Sequence, residues 1–444
     1  MSRVALIGEN SFYYVNELID IWNSGNCAVL IDWRIPITTA LQMMEEAEVS
    51  ECRIERGKWD DMLDKIATQI EIRMFGHEVL SGILPEFLYD KFREIYSNDE
   101  AVIIYSSGTT GKSKGIILTH YAINTNADSI IDYMKPCCSD TIYIVKALSH
   151  SSTLVGELLV GLKTRTKVLF TKIVVPPRYI LSNISKYNVT ILCVNPTLLS
   201  MYADECQRNE YKLSSLRVVY VSGSILNENT QKTASEVFTG IDIYNVYGLS
   251  EAGPRVTAQR FDCCKGNSVG KPIKFVEIAI VNENGVKLNN GDRGIIFVNT
   301  PCRLSGYVTG NEKNSSIYKN WLNTGDVGYI DENDELFVVG RLDDVIIINS
   351  HKIYPSDIEK TIITYTGVTE CVVVKFEVNN NVFIGCMYSG IKHKVNIIKC
   401  VLKKRLLPYE IPHCFIHTEK IPKNKNGKII KKEVIRLFES LNKI

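Results

Sequence analysis

One stretch of the sequence, rich in glycine, hydroxyl side chains and lysine, has the composition of a phosphate-binding loop. It runs from residue 105 to residue 115 and reads YSSGTTGKSKG. Glycine lets the backbone approach an anion closely, and Ser, Thr and Lys side chains supply donors for phosphate oxygens. A Walker A loop, GxxxxGK[ST], would end on Gly111-Lys112-Ser113, but its first position falls on Ser106 instead of glycine. From this segment alone, a P-loop NTPase or kinase, another nucleotide enzyme and a plain surface loop all remain open.

Four later segments carry polar and charged residues in short patterns that could bind a nucleotide. They read NVYGLSE, WLNTGD, GRLDD and PKNKNGKI, at residues 245–251, 321–326, 340–344 and 422–429. Together with the glycine-rich loop, they resemble, in the same order, the motifs of the adenylate-forming superfamily, which includes acyl- and aryl-CoA synthetases, peptide-synthetase adenylation domains and luciferases. Ser113 replaces the proline that is usual in the family loop. Because several dispersed motifs in order are far more specific than any one of them, the chain is identified as a compact member of this superfamily.

The resemblance implies an AMP-forming acid–thiol ligase that works in two steps. A carboxylate attacks the α-phosphate of ATP to give an acyl-adenylate and pyrophosphate, and a thiol then takes the acyl group. The first step joins two anions, so the site must neutralise charge and orient an in-line attack. ATP and Mg²⁺ are the implied cofactors, and the implied acceptor is the phosphopantetheine thiol of CoA or of a carrier protein.

The resemblance also assigns residues to the parts of ATP. The β- and γ-phosphates would be held by Ser106, Ser107, Gly108, Thr109, Thr110, Gly111, Lys112 and Lys114. The adenine would stack on Tyr247 and be lined by Ser222, Gly223, Ser224, Asn245 and Gly248.

Four further residues are assigned to the α-phosphate, the metal and the ribose. Ser250 would hydrogen-bond the α-phosphate, and Glu251 would ligate Mg²⁺, which prefers carboxylate and phosphate oxygens. Asp326 only accepts hydrogen bonds when it is ionised, which suits the two ribose hydroxyls, and Arg341 can donate to the same sugar.

Lys428 is the expected catalytic lysine, because it follows Gly427 in the last motif. A lysine is a compact charge on a flexible stem, suited to bridging the carboxylate and the α-phosphate as negative charge moves. The surrounding segment is rich in lysine, so an ordinary basic patch is the alternative. In the family the C-terminal domain rotates between the two half-reactions, and Asp343 would absorb the dihedral change at the hinge.

The acid substrate can be narrowed by the stretch ALSHSSTL at residues 147–154. Relatives that activate amino acids carry an Asp there, and an ammonium group without a counter-charge in an apolar pocket would be costly. An amino acid is therefore disfavoured against an aryl or fatty acid. His150 stands where acid ligases place a histidine beside the carboxylate, although a structural histidine is the alternative.

Two departures from the family bear on the acceptor. The first segment, VALIGENS, resembles one that several dozen residues usually precede, so we expect a shortened N-terminus. Ser350 stands in a turn that is glycine-rich in relatives and approaches the pantetheine thiol there. A non-catalytic or thiolation-deficient nucleotide-binding relative is therefore the second reading of the sequence.

The elements that must position these residues follow from the apolar pattern. Short apolar runs alternate with helical patterns in the first half, which predicts an α/β fold, and strands joined by Asn-Gly and Gly-Asp turns follow after about residue 268. We expect a large N-terminal domain of layered mixed and parallel sheets and helices with a β-rich end, residues 1–341. A small mobile α+β domain would follow at 342–444. A helix is expected from Ser356, with Ser356 at its N-cap and Asp and Glu in its first turn.

The composition is that of an ordinary globular protein. The 444 residues carry a net charge of +1, which points to neither nucleic acid nor membrane as a partner, and no apolar run is long enough to span a bilayer. From residue 341 onward there are 18 Lys and Arg against 10 Asp and Glu, which fits the phosphates of CoA or an acidic carrier protein. The 13 cysteines have no framework spacing, so reduced thiols and a cytoplasmic location are expected.

Overall fold

The computed structural model of the protein describes residues 1–59, 70–77, 79–107, 113–173, 175–226, 228–261, 268–310, 317–318, 320–348, 351–378, 381–393, 395–424 and 429–441. The chain divides into two compact units. Unit 1 comprises Met1–Gly223, Ala234–Ala279 and Phe297–Thr324, and unit 2 comprises Ser224–Thr233, Ile280–Ile296 and Gly325–Ile444. The domain boundary between residues 341 and 342 stays a prediction.

The strands of the described residues are, in chain order, β1 (Arg3–Ile7), β2 (Cys27–Ile31), β3 (Glu51–Glu55), β4 (Glu71–Phe75), β5 (Ser81–Ile83), β6 (Glu100–Ser107), β7 (Ser113–Thr119), β8 (Thr141–Ile144), β9 (Lys167–Thr171), β10 (Ile191–Val194), β11 (Val218–Ser222), β12 (Asp242–Gly248), β13 (Arg255–Arg260), β14 (Lys271–Pro272), β15 (Glu277–Val281), β16 (Gly294–Asn299), β17 (Gly306–Tyr307), β18 (Ile317–Tyr318), β19 (Trp321–Ile330), β20 (Leu336–Arg341), β21 (Ile346–Ile348), β22 (His351–Ile353), β23 (Val368–Val378), β24 (Asn381–Gly390) and β25 (Cys414–His417).

The α-helices are α1 (Phe12–Asn23), α2 (Ile37–Glu46), α3 (Glu86–Lys91), α4 (His120–Met134), α5 (Ser151–Thr153), α6 (Val160–Thr164), α7 (Pro177–Lys186), α8 (Pro196–Arg208), α9 (Glu228–Val237), α10 (Pro355–Thr366), α11 (Val395–Lys403) and α12 (Lys431–Leu441). A π-helix, Leu154–Leu159, joins α5 to α6, and short 3₁₀ turns lie at Ser250–Ala252, Leu342–Asp344 and Pro408–Glu410. Within the ranges given above, no helix is long and apolar enough to cross a membrane.

The first sheet of unit 1 is mainly parallel, with the order β17–β7–β6–β2–β1–β3–β4. Strands β6, β2, β1, β3 and β4 run parallel, whereas β7 runs antiparallel to β6 and to β17. Every residue of β2, which reads CAVLI, is buried. A strand covered on both faces reads as a continuous apolar run, which is why these strands are visible in the sequence.

The second sheet of unit 1 has the order β14–β13–β12–β11–β10–β8–β9–β5. Its central strands β9, β8, β10, β11 and β12 are parallel, and antiparallel strands close both ends. The predicted α/β class with layered mixed and parallel sheets is confirmed. In a parallel array the carboxyl ends of all strands meet at one edge, which is where ligands bind in such folds.

Unit 2 contains a three-stranded sheet, β23–β24–β25, with helices on both faces. Val373 of β23 packs with α10 and α11, through Ile362 and Leu402. The next residue, Val374, packs on the opposite face against Phe438 of α12. Because successive strand residues point to opposite faces, this alternation builds two small cores, and the expected α+β character of the C-terminal region is confirmed.

The start of α10 differs from the expectation. The helix begins at Pro355, with Tyr354 in the cap position and no side-chain cap, and Asp357 is the acidic residue of its first turn. Ser356 therefore lies inside the helix and does not cap it. Proline is favoured at the first helical position because its missing N–H would have no partner there, and this preference outweighs the serine signal.

Candidate functional site

The glycine-rich loop lies at the tip of a β-hairpin formed by β6 and β7. Ser106 is opposite Lys114, and Ser107 is opposite Ser113, in an antiparallel register. The remaining predicted phosphate ligands lie outside the described residues: Gly108, Thr109, Thr110, Gly111 and Lys112. A Walker A loop joins a strand to a helix, whereas here a strand follows. The P-loop interpretation is therefore wrong for this chain.

The base of the hairpin is held by close packing. Tyr105 donates a hydrogen bond from its hydroxyl to the carbonyl of Met43, at 2.7 Å, and burial raises the pKa of Tyr105 well above its usual value. A Cβ atom on Gly115 would lie 2.7 Å from Cγ2 of Val308, so a larger residue would push these strands apart. The ammonium of Lys114 lies 5.9 Å from the centre of the Tyr307 ring.

A short segment ties this hairpin to the motif that contains Ser250 and Glu251. The backbone N–H of Leu304 donates to the carbonyl of Glu251 at 2.8 Å, and the next N–H, of Ser305, donates to the carbonyl of Ile117 in β7 at 2.9 Å. The 3₁₀ turn Ser250–Ala252 itself packs against β7. The structure therefore brings the predicted α-phosphate and metal residues beside the predicted phosphate hairpin.

His150 is brought to the same place by a contact that the sequence did not predict. Ser151, the residue after His150, has its hydroxyl oxygen 2.7 Å from that of Ser250, although 99 residues separate them. His150 precedes α5 in the cap position. Burial would raise the pKa of Asp32, but hydrogen bonds and the charge of Arg34, with the nearby charge of His150, lower it.

The residues predicted to surround adenine lie at the carboxyl ends of two neighbouring parallel strands. Val221 of β11 is opposite Asn245 of β12. Ser222 ends β11 and Gly223 follows it, while Tyr247 and Gly248 end β12. Tyr247 is half-buried, whereas Gly223 and Ser224 are exposed.

Contacts within the protein fix the Asn245 side chain and the backbone at two glycines in this region. The Asn245 amide donates to the carbonyl of Ser268 at 3.1 Å, which leaves its carbonyl oxygen for another donor. A Cβ atom on Gly248 would lie 2.0 Å from the carbonyl oxygen of Pro254, so only glycine fits. Gly223 has a φ of +103°, a conformation that favours glycine.

The predicted ribose residues form a pair in unit 2. Asp326 of β19 is opposite Arg341 of β20, and the guanidinium lies 3.1 Å from the carboxylate. Gly325 has a φ of +69°. The Asp326 side chain is mostly buried and that of Arg341 is 44% exposed, so the pair presents its arginine side to solvent.

The predicted hinge and its surroundings are also in unit 2. Asp343 is exposed in the 3₁₀ turn Leu342–Asp344, and Asp344 pairs with Lys431 at 2.7 Å. Lys428 lies outside the described residues. Lys423 pairs with Glu370 at 2.8 Å, so two lysines of this basic segment have carboxylate partners.

The residues present fit a magnesium ion only if the nucleotide completes its ligand sphere. In the described part of the chain, no three His, Cys, Asp or Glu side chains come together as a metal site. Glu251 would supply one carboxylate beside the phosphate hairpin. Mg²⁺ is usually bound by one or two carboxylates together with phosphate oxygens and water, which agrees with this donor set.

Sequence reasoning missed a group of buried charges next to Ser250. Lys146, Glu157 and Arg255, which we call the buried charge cluster, belong to three separate segments of unit 1. Arg255 is 1% exposed and Glu157 is fully buried. The available signal was Arg255 itself, a charged residue that begins a strand four positions after Glu251; its burial could not be read from the sequence.

The fold of this chain is found in solved structures of other proteins. It is shared by ATP-bound MatB from Rhodopseudomonas palustris, with a TM-score of 0.89 and 21% identity over 100% of this chain and 90% of that one. It is also shared by O-succinylbenzoate Coenzyme A Synthetase (MenE) from Bacillus subtilis in complex with ATP and magnesium ion. That comparison has a TM-score of 0.83 and 22% identity over 98% and 89% of the two chains.

The sequence comparisons give the family. A family model described as AMP-binding enzyme matches residues 1–308, and the chain belongs to this family. It is 29% identical to 4-coumarate–CoA ligase CCL1 of Humulus lupulus over 76% of this chain and 65% of the relative. It is 27% identical to 2-succinylbenzoate–CoA ligase of Bacillus cereus over 99% of this chain and 89% of the relative. The match therefore spans just under two thirds of the hop ligase and most of the Bacillus enzyme.

Proposed function

We propose that the protein is an AMP-forming acid–thiol ligase that activates a carboxylic acid with ATP and passes the acyl group to the phosphopantetheine thiol of CoA. The observation that carries this proposal is the pair of hydrogen bonds by which Leu304 and Ser305 join Glu251 to β7. They hold an acidic motif beside a glycine-rich hairpin, as chemistry at a phosphate requires. The family match and relatives named as CoA ligases support the same reaction.

The residues would divide the work of the first step as follows. The β6–β7 hairpin, with Ser106, Lys114 and the loop between them, would hold the β- and γ-phosphates. Ser250 would orient the α-phosphate, and His150, next to Ser151, would hold the acid near it. Mg²⁺, ligated by Glu251, would offset the phosphate charge. Holding the two anions close and correctly oriented can lower the barrier of such a step by about 7–11 kcal/mol.

The other predicted residues would bind the nucleoside and neutralise charge. Tyr247 would stack on adenine at the end of β12, and the Asp326–Arg341 pair would bind the ribose. Lys428 would bridge the two reacting anions. Rotation about Asp343 would switch the protein from the adenylation step to the thiol-transfer step. We propose that residues 342–444 form the mobile domain.

The acceptor and the location complete the proposal. Lysine-rich segments of unit 2 would meet the phosphates of CoA, and a carrier protein that carries the same thiol is the second acceptor to test. All eleven cysteines in the described residues are free, which fits the cytoplasm because thiols stay reduced there.

The experiment is exchange of labelled pyrophosphate into ATP, tried with a panel of acids that includes 4-coumarate, 2-succinylbenzoate and fatty acids. Acid-dependent exchange is the expected result, because reversal of adenylate formation incorporates pyrophosphate. Lys428→Ala should abolish exchange while ATP binding is retained, and Lys432→Ala is the matched control from the same basic segment. No exchange with any acid would instead support a non-catalytic nucleotide-binding protein.

A further inference from the structure

The buried charge cluster of Lys146, Glu157 and Arg255 is not satisfied by the protein. The ammonium of Lys146 lies 3.1 Å from a carboxylate oxygen of Glu157 but is not aligned for a hydrogen bond. All three guanidinium nitrogens of Arg255 and both carboxylate oxygens of Glu157 also have no hydrogen-bond partner. An unpaired buried ionic group costs several kcal/mol, so a fold does not retain one without a compensating contact.

The charges of the cluster do not balance. Lys146 and Arg255 share the single carboxylate of Glu157. The other groups that influence the pKa of Arg255 are the neutral side chains of Tyr133, Cys193 and Tyr220. The backbone of Arg255 is fixed, because the Asn126 amide donates to its carbonyl and accepts from its N–H, each at 3.0 Å. A buried guanidinium whose three nitrogens lack hydrogen-bond partners attracts an anion more strongly in this low-dielectric interior than it would in water.

The cluster lies in the same part of unit 1 as Ser250, one of the predicted α-phosphate residues. Residues 150–157 and 250–257 lie side by side: Ser151 contacts Ser250, and Gly156 is so close to Arg255 that a Cβ there would be 2.8 Å from the guanidinium. Gly156 therefore leaves room for this side chain. The five steps from Ser151 to Gly156 span about 7 Å at the rise of an α-helix.

We propose that Arg255 is a specificity-determining residue and that it binds an anionic group at the far end of the acid substrate. The substrate class would then be dicarboxylic acids, with one carboxylate activated beside Ser250 and His150 and the second paired with the guanidinium. This inference rests on the proposed ligase function and names the substrate of that same site. A guanidinium pairs with a carboxylate through two parallel hydrogen bonds, which explains why an arginine would be kept here.

The test compares each dicarboxylic acid with its own monomethyl ester, because the ester removes only the far charge. Pyrophosphate exchange is measured for glutarate, adipate, pimelate and 2-succinylbenzoate and for the corresponding monomethyl esters. The wild-type protein should prefer at least one diacid over its ester by about 100-fold or more in kcat/KM, since a site built to bind a polar group rejects the analogue that lacks it.

Two variants separate specificity from a general loss of activity. Arg255→Met should reduce the diacid-to-ester ratio by about 10- to 100-fold, through a higher KM for the diacid. The matched control is Arg260→Met, which removes a partly exposed arginine from the same strand and should leave the ratio unchanged. If Arg255→Met does not fold, the wild-type ratio alone decides, because it needs no variant.

The outcomes are distinguishable. A wild-type preference for the diacid that falls in Arg255→Met but not in Arg260→Met supports the inference. Exchange with monocarboxylic acids or esters at equal or higher efficiency would overturn it and leave the ligase function intact. So would a diacid-to-ester ratio that Arg255→Met does not change. No exchange with any acid would overturn the ligase function and this inference together.

Discussion

Two buried arginines of unit 1 differ in the hydrogen bonds that their guanidinium groups make. Arg53, on β3, donates to Glu51 at 2.7 Å and to Glu17 at 3.1 Å. Arg255, on β13, has no hydrogen bond from any guanidinium nitrogen. Both are almost completely buried, with 6% and 1% of their surface exposed.

The comparison separates a buried charge that stabilises the fold from one that has no partner in the protein. Most buried polar groups are hydrogen-bonded, and those that are not require an explanation. Arg53 joins β3 to α1 through Glu17, so its charge is neutralised within the chain. Arg255 stands beside the candidate site without such partners, which agrees with a group that is neutralised by a ligand. The following variants test this contrast.

The largest expected effect is on the satisfied arginine. Arg53→Met should lower the free energy of unfolding by about 3 kcal/mol, because it leaves the buried carboxylate of Glu17 without its closest partner. Urea unfolding followed by circular dichroism measures this loss. Acid preference in pyrophosphate exchange should not change in the protein that remains folded. A loss below about 1 kcal/mol would remove the contrast between the two arginines.

A smaller effect is expected from filling the space beside Arg255. Gly156→Ala places a Cβ 2.8 Å from the guanidinium, so the side chain must shift, and overpacking of this kind costs about 1–3 kcal/mol. In an Arg255→Met background the same change should cost less. A double-mutant cycle of unfolding free energies measures the coupling. Additive effects would mean that the two side chains do not compete for the same space.

Arg255→Met by itself should change stability little. The guanidinium loses no hydrogen bond in this variant, and its unrepaid desolvation is relieved, so we expect a change within about 1 kcal/mol in either direction. The same unfolding assay as for Arg53→Met gives a direct comparison of the two arginines. A loss as large as that of Arg53→Met would show that Arg255 is a structural residue.

The smallest effect is a pH dependence that comes from Glu157. Burial raises the pKa of this carboxyl above its ordinary value, against the lowering effect of the charges of Lys146 and Arg255. The protonated Glu157 carboxyl therefore contributes to the free energy of unfolding. This contribution is fully present below the ordinary carboxyl pKa and is lost as the pH rises through the raised pKa. Compared with wild type, Glu157→Gln should lose less stability between pH 4.5 and pH 7 in urea unfolding. If the unfolding free energies of wild type and Glu157→Gln changed equally with pH, the pKa of Glu157 would not be raised by folding.

Local patterns in the sequence predicted much of the fold. The apolar runs of the parallel strands are local signals, and the corresponding strands are found. The hairpin that β7 forms with β6 was not predicted from the sequence. Seven residues, SKGIILT, form β7 before α4 begins at His120, and their pairing with β6 is a contact that propensity alone does not decide.

For the candidate site too, some residues were predicted from the sequence and some contacts were not. The motifs predicted Ser250, Glu251, Asp326 and Arg341. Ser250 and Glu251 are consecutive in the chain, whereas the pairing of Asp326 with Arg341 is made by β19 and β20. No pattern in the sequence predicted the contact between Ser151 and Ser250 or the hydrogen bonds that link Glu251 to β7. These depend on which strands lie side by side, and therefore on the packing of whole sheets.

The sequence by itself determined the family, because its five short motifs are local patterns of glycine, hydroxyl and charged residues whose order along the chain carries the information. That Arg53 is hydrogen-bonded to carboxylates and Arg255 is not became visible only in the packed structure. Whether a buried charge is satisfied depends on side chains about 36 and about 100 residues away, which come into reach only when strands and helices pack. The cost of leaving such a charge unpaired is the physical reason to look for its partner in the substrate.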